Sequence, residues 1–222
     1  MTGRPLRLAH RGDWRRAPEN TLEALRGAME IPACDGVEFD VRISSDGVPV
    51  ILHDETLARV QQRPRRVDEL TAADLAASGV PALAAVLAAL PRGAFLDVEL
   101  KGEDHGEATA RVLRDGRGAA PDRAVVSSFE ASSLAAMGDL LPGWPRWLNA
   151  DDLSPATLSL ALGLGCRGIS VLWGSITPAA MRAAGAAGLE IAAWTVRRRA
   201  TFERLGRLGV VAICAEGAAL DG

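Results

Sequence analysis

Eight short β-like runs recur along the chain, and one helix-length stretch separates most of them. The runs are "LRLA" (6–9), "GVEFDV" (36–41), "AFLDVEL" (94–100), "AVVSS" (124–128), "RWLN" (146–149), "GISV" (168–171), "LEIAAWTV" (189–196) and "VVAIC" (210–214). Strands that alternate with helices build a parallel sheet, because each crossover helix returns the chain to the same edge direction. Eight such units in 222 residues predict an α/β chain, a (β/α)8 TIM barrel in preference to a doubly wound open sheet. The rhythm breaks once. "VPVILHD" (48–54) reads as an extra strand, and "ETLARVQQRPRRVDELTAADLAASG" follows it. This predicts a small insertion after the second strand, about residues 54–80, inside a single domain spanning 1–222. Asn20 or Thr21 suits the start of the first helix, and Thr177 before Pro178 suits another.

Two of the runs carry an unusual pattern. In "GVEFDV", Val37, Phe39 and Val41 share one face, while Glu38 and Asp40 share the other. In "FLDVELK", Leu96, Val98 and Leu100 lie opposite Asp97, Glu99 and Lys101. One such strand could be a solvated edge. Two in a parallel barrel cannot be, since those strands are covered on both sides. Charges placed there need partners or a metal.

Barrel chemistry sits at the C-terminal ends of the strands. The first run ends at His10 and Arg11, the second carries Glu38 and Asp40, the extra strand reaches His53 and Asp54, and the next carries Glu99 and Lys101. Glu38, Asp40 and Glu99 form an oxygen donor set suited to one divalent cation, Mg²⁺ or Ca²⁺, and less suited to zinc. His10 and His53 titrate near neutrality and could act as general base and general acid. Arg11 and Lys101 add two cations, so the set points to an anionic substrate and to phosphoryl chemistry.

Each signal alone has an ordinary explanation. A histidine at a strand end commonly serves as a structural hydrogen-bonder, an isolated E-x-D pair commonly lies on the surface, and Glu99 with Lys101 could be a simple ion pair. Their joint placement at successive strand ends favours a site. His105, in "GEDHGE", reads as solvated. Trp14, Trp144, Trp147 and Trp173 read as packing residues, Trp194 as a pocket wall, and Arg197–Arg199 as a solvated helix start.

The charges nearly balance, with 25 Lys+Arg against 28 Asp+Glu, which argues against a nucleic-acid partner bound through bulk positive charge. Three scattered cysteines without a CxxC pair fit free thiols in a reducing compartment. "MTGRPLRLAHRGD" lacks a signal-like apolar run, and prolines 81 and 91 interrupt the longest Ala/Leu-rich stretch. The expectation is a cytoplasmic protein with no stable membrane insertion and no predicted oligomeric state.

"AHRGDWRRAPENTLEAL", "GVEFDVRISSDGVPVILHDETLAR" and "LDVELKG" together resemble the glycerophosphodiester phosphodiesterase family, with "VVSSF" and "AAWTV" similar to its later strands. The resemblance implies the barrel with its insertion, a divalent metal, and hydrolysis of a small glycerophosphodiester to glycerol 3-phosphate and an alcohol. It implies His10 and His53 as the catalytic pair and Glu38, Asp40 and Glu99 as metal ligands. It further implies Arg11 and Lys101 as phosphate-binding cations, Trp194 as a pocket aromatic, Glu19 as a supporting acid that orients Arg11 or reaches the metal, and Asn20 as a helix cap. Two positions depart from the family pattern. Arg197 follows "WTV" where Asn is usual, and "ICAEGAAL" replaces a terminal Thr/Gly-Asp-x-Pro segment. Two alternatives remain: a lysophospholipase D-type or other lipid phosphodiesterase, and a non-catalytic barrel that binds phosphodiesters.

Overall fold

The computed structural model describes residues 4–103 and 105–222. Eight parallel strands close on themselves: β1 (Leu6–His10), β2 (Gly36–Ile43), β4 (Phe95–Leu100), β5 (Ala124–Ser128), β6 (Arg146–Ala150), β7 (Gly168–Leu172), β8 (Glu190–Val196) and β9 (Ala212–Ala215). β1 pairs with β2 on one side and with β9 on the other, which closes the barrel. One further strand, β3 (Pro49–Ile51), runs antiparallel to β2 and is shorter than the sequence suggests. Its neighbours 48 and 52–54 are irregular, because the chain leaves the hairpin to reach His53.

The crossovers are helical. They include α1 (Leu22–Ala28) after β1, α4 (Leu83–Ala89) before β4, α5 (Glu107–Arg117), α6 (Ala131–Leu140), α7 (Pro155–Gly163), α8 (Pro178–Ala186) and α9 (Arg199–Arg207). Their starts follow local chemistry. Thr21, Ser154 and Thr177 each accept a hydrogen bond from a backbone N–H three residues on, and proline opens α7 and α8. α10 (Ala218–Asp221) follows β9.

Burial divides the apolar residues into three groups. The largest lies between strands and helices and contains Val37, Phe39, Val41, Leu96, Val98 and Leu100. A second plugs the barrel interior from below and includes Leu8, Val125, Trp147, Ala192 and Ala212. The third belongs to the segment after β3, where α2 (Ala58–Gln61) and α3 (Ala72–Ala77) lie. There Leu52, Leu57, Val67, Leu75 and Val80 pack around Val50. At the narrow end Gly36 is required by space, since a Cβ there would lie 1.9 Å from the Phe95 carbonyl oxygen.

Candidate active site

The acids foreseen on β2 and β4 face the barrel interior side by side. In the parallel register Glu38 lies opposite Asp97 and Asp40 opposite Glu99. Asp40 is fully buried, Glu38 is 3% exposed and Glu99 is 9% exposed. Glu38, Asp40 and Glu99 each offer an oxygen within 4.8 Å of the others. Glu38 Oε1 and Asp40 Oδ1 are buried and accept no hydrogen bond. Anionic oxygens converging at this spacing, with Glu38 Oε1 left without a hydrogen-bond partner among the described residues, fit a hard divalent cation.

The electrostatics agree. Burial, reinforced by Asp40 and Glu99, pushes the Glu38 carboxyl well above the usual range. Burial and Asp40 also push Glu99 up. Asp40 behaves oppositely: burial works against its charge, but Arg11, Lys101 and His53 together hold it below the usual range. Asp40 Oδ2 lies 3.1 Å from Arg11 Nε, and Oδ1 lies 3.3 Å from Lys101 Nζ. Lys101 Nζ also donates to Glu99 at 2.5 Å. Below them burial raises Asp97 to about 7, and Ser127 Oγ donates to it at 2.6 Å.

The turn after β1 holds its residues in a special backbone. Arg11 and Asn20 have φ of 58° and 59°, uncommon for residues with a side chain and here stabilised by long-range bonds. Arg11 N–H donates to the Glu38 carbonyl, and Asn20 N–H donates to the Arg11 carbonyl. Gly12 next to it permits α1 to approach, since a Cβ would meet the Ala24 backbone at 2.6 Å. Asn20 therefore does not cap α1. Thr21 does, while Asn20 Nδ2 donates to Asp40 Oδ2 at 2.8 Å. Glu19 accepts from Arg11 at 2.9 Å, so it orients that guanidinium.

Both histidines foreseen at strand ends line one cavity of about 230 Å³ together with Arg11, Glu38, Glu99 and Lys101. Each is held by a carboxylate that is itself clamped by an arginine. His10 Nδ1 lies 2.6 Å from Glu216 Oε1, and Arg197 Nε donates to Glu216 Oε2 at 2.6 Å. His53 Nδ1 lies 2.7 Å from Asp54 Oδ1, and Arg59 Nε donates to Asp54 Oδ2 at 2.6 Å. Hydrogen bonds and charge from these partners overcome burial and lower Glu216 and Asp54 to about 2 each. Ionised carboxylates only accept, so both rings carry the proton on Nδ1. Nε2 is left for other partners, and that of His10 lies 3.9 Å from Glu38 Oε2. Burial lowers His53 below its ordinary value, against the pull of Asp40 and Asp54.

The opposite wall is neutral and aromatic. Ser127, Asn149, Ser170, Phe129 and Trp194 line it. Two residues of β8, Trp194 and Thr195, stand where β9 offers Cys214 alone, a register shift that re-aims the indole. Trp194 Nε1 donates to the Ser170 carbonyl at 3.0 Å, and its ring meets Phe129 edge-on at 5.7 Å.

Two further expectations fail, those for His105 and for Trp14 and Trp173, while Arg197–Arg199 are exposed at a helix start as expected. His105 is 3% exposed rather than solvated, with Nε2 3.1 Å from the Lys101 carbonyl oxygen and Nδ1 3.3 Å from Thr109 Oγ1 of α5. Trp14 and Trp173 are exposed at the ends of β1 and β7, while Trp144 and Trp147 pack as expected. Arg197 is exposed yet ion-paired, and Arg199 opens α9. Residues passed over in the sequence include Arg59, Asn149, Ser127 and Glu216, and Asp54 was placed at a strand end without a role. Asp54 and Arg59 stand inside the quoted "HDETLAR", where a carboxylate beside a histidine was an available signal.

The glycerophosphoryl diester phosphodiesterase family model matches residues 10–217. The chain belongs to this family. Among its relatives is a glycerophosphodiester phosphodiesterase of Caldanaerobacter subterraneus subsp. tengcongensis, 27% identical over 222 residues, covering 91% of this chain and 90% of that protein. A phosphodiesterase of Oleispira antarctica, solved in complex with the product sn-glycerol-3-phosphate, has a TM-score of 0.85 at 26% identity. That match covers 95% of this chain and 92% of the other. A glycerophosphodiester phosphodiesterase of Agrobacterium tumefaciens has a TM-score of 0.83 at 26% identity, covering 98% of each chain. The expected TIM barrel and family are thus both found, and the enzymatic class is phosphoric diester hydrolysis. No helix among the described residues is long and apolar enough to cross a membrane.

Proposed function

We propose that the chain hydrolyses a glycerophosphodiester to glycerol 3-phosphate and an alcohol, with a divalent cation held by Glu38, Asp40 and Glu99. The observation that carries this reading is the convergence, in one cavity, of three buried carboxylates and two histidines whose Nε2 atoms are left for substrate. A cation bound by these three carboxylates would supply positive charge beside the phosphoryl oxygens. Arg11 and Lys101 bind and orient the same phosphate from the side of Asp40. One histidine takes a proton at Nε2 from the nucleophile, and the other gives a proton from Nε2 to the leaving alkoxide. The ion pairs behind Nδ1 stabilise whichever ring becomes the imidazolium. The nucleophile is water or a neighbouring glycerol hydroxyl. Trp194 and Phe129 form the wall against which the organic part packs.

The test is release of glycerol 3-phosphate from glycerophosphoethanolamine and glycerophosphocholine in a coupled dehydrogenase assay, with Mg²⁺, Ca²⁺ or EDTA. EDTA-sensitive release supports the reading. Release that survives EDTA removes the cation from the scheme, and no release from any diester removes the substrate class.

A second reading, a lipid diester such as a lysophospholipid, is favoured by the apolar rim. Phe129 (44% exposed), Trp14 (47%), Leu172 (38%) and Trp173 (38%) all follow or end strands on the catalytic face. Faster turnover of a lysophospholipid than of its deacylated counterpart would favour it.

A further inference from the structure

β2 and β4 repeat the same order on their inward faces. β2 presents Glu38, Asp40 and Arg42, and β4 with its following residue presents Asp97, Glu99 and Lys101. Two acids are followed in each case by one cation, one step nearer the mouth. Lys101 is engaged by Asp40 and Glu99. Arg42 is half-buried and differs: its Nε donates to the His53 carbonyl at 2.8 Å, and among the described residues neither terminal nitrogen has a hydrogen-bond acceptor or a carboxylate within ion-pair distance.

Arg42 and Lys101 share a second cavity of about 160 Å³ with Glu55, Arg66 and Asp68. Lys101 also lines the first cavity, so the two adjoin at its side chain. Arg66 is committed elsewhere. It donates to Glu55 at 3.0 Å through Nη1 and to Asp68 at 2.7 Å through Nη2. Two carboxylates therefore share one guanidinium, while Arg42 keeps open donor positions. Among the described residues no aromatic lines the cavity, so they offer no ring face to attract a quaternary ammonium.

We propose that this second cavity receives the alcohol half of the diester and selects an alcohol bearing a carboxylate beside an ammonium, as in a serine ester. The carboxylate meets the terminal nitrogens of Arg42, and the ammonium meets Glu55. A guanidinium with two parallel donors in reach suits a carboxylate. The inference rests on the proposed diesterase reading and sharpens it to a substrate class.

Glycerophosphoserine and glycerophosphoethanolamine differ by that carboxylate. The experiment compares kcat/KM for both, with Mg²⁺ present, in the wild type, in Arg42→Gln and in Arg42→Lys. The wild type is expected to prefer glycerophosphoserine about tenfold, the scale of one hydrogen bond between charged groups. The ratio should fall toward one in Arg42→Gln and be partly retained in Arg42→Lys. Absolute rates will fall on both diesters, because Arg42 also holds the His53 carbonyl, but that supporting role cannot change the ratio. Equal kcat/KM on the two diesters in the wild type overturns the inference while leaving the diesterase reading intact. So does a serine preference that Arg42→Gln leaves unchanged. Cleavage of neither diester removes both.

Discussion

The barrel interior has two unlike halves. On β1, β2 and β4 the inward residues near the mouth are charged: His10, Glu38, Asp40, Arg42, Asp97, Glu99 and, just beyond β4, Lys101. On β5 to β8 the corresponding lining is Ser127, Asn149, Ser170 and Trp194, with Phe129 just past β5. Buried charge is costly unless partners converge on it. Here the carboxylates of one half are matched by Arg11 and Lys101, and Asn20 reaches Asp40 from the turn after β1. The neutral half needs no such compensation. It offers shape and a few hydroxyl and amide groups. Under the proposed function, the charged half acts on the phosphate and the neutral half holds the organic part.

That division is breakable. The largest effects should come from the charged half. Glu38→Ala should abolish measurable turnover and with it stimulation by Mg²⁺ or Ca²⁺, and a variant still stimulated by metal would remove Glu38 from the ligand set. His10→Ala and His53→Ala should each lose at least ~10²-fold in kcat, the usual scale for acid–base catalysis. Near-wild-type kcat in either variant would sink the two-histidine scheme. Glu216→Ala should cost less, about tenfold in kcat with KM little changed, since it misplaces His10 rather than removing it. Glu216→Asp should recover part of that loss. In the neutral half, Trp194→Ala or Phe129→Ala should raise KM by about threefold to tenfold at nearly constant kcat, the worth of one aromatic contact. A kcat loss as deep as that of His10→Ala would erase the distinction between the halves.

The smallest effect is on stability. Glu216 titrates at about 2 in the folded chain, below an ordinary unfolded glutamate. Its contribution is therefore present above the unfolded value and is lost as pH falls through the folded one. The Tm difference between wild type and Glu216→Gln should be steady near neutrality and shrink between about pH 5 and pH 2. A difference that grows on acidification would contradict the ion pairs drawn here.

The period-2 pattern made Glu38, Asp40, Glu99 and Lys101 readable before any coordinates, because a wet face is impossible on a buried parallel strand. The strand ends made His10 and His53 readable for the same reason. Glu216 was not readable. Its contact with His10 spans 206 residues, and a lone glutamate in "CAEGAA" carries no local signature. Ser127 and Asn149 were silent because small polar residues are common everywhere in strands and turns. Asn20 was misassigned because helix capping and a buried bond to Asp40 demand the same side chain at nearly the same position. His105 was misassigned because its charged neighbours suggest a wet loop, while its ring is buried against the Lys101 carbonyl and Thr109 of α5.

The closure of β1 by β9 has a consequence for how the protein comes into being. His10 leaves the ribosome 206 residues before Glu216, and nascent chains fold from the N-terminal side as they emerge. The charged strands can therefore meet one another long before the first strand finds its second neighbour. Until then His10 lacks the carboxylate that aims its ring, and one side of β1 is an open edge. Across those 206 residues of synthesis the ring stays without its orienting partner, and the step that seals the edge is the same step that aims the histidine.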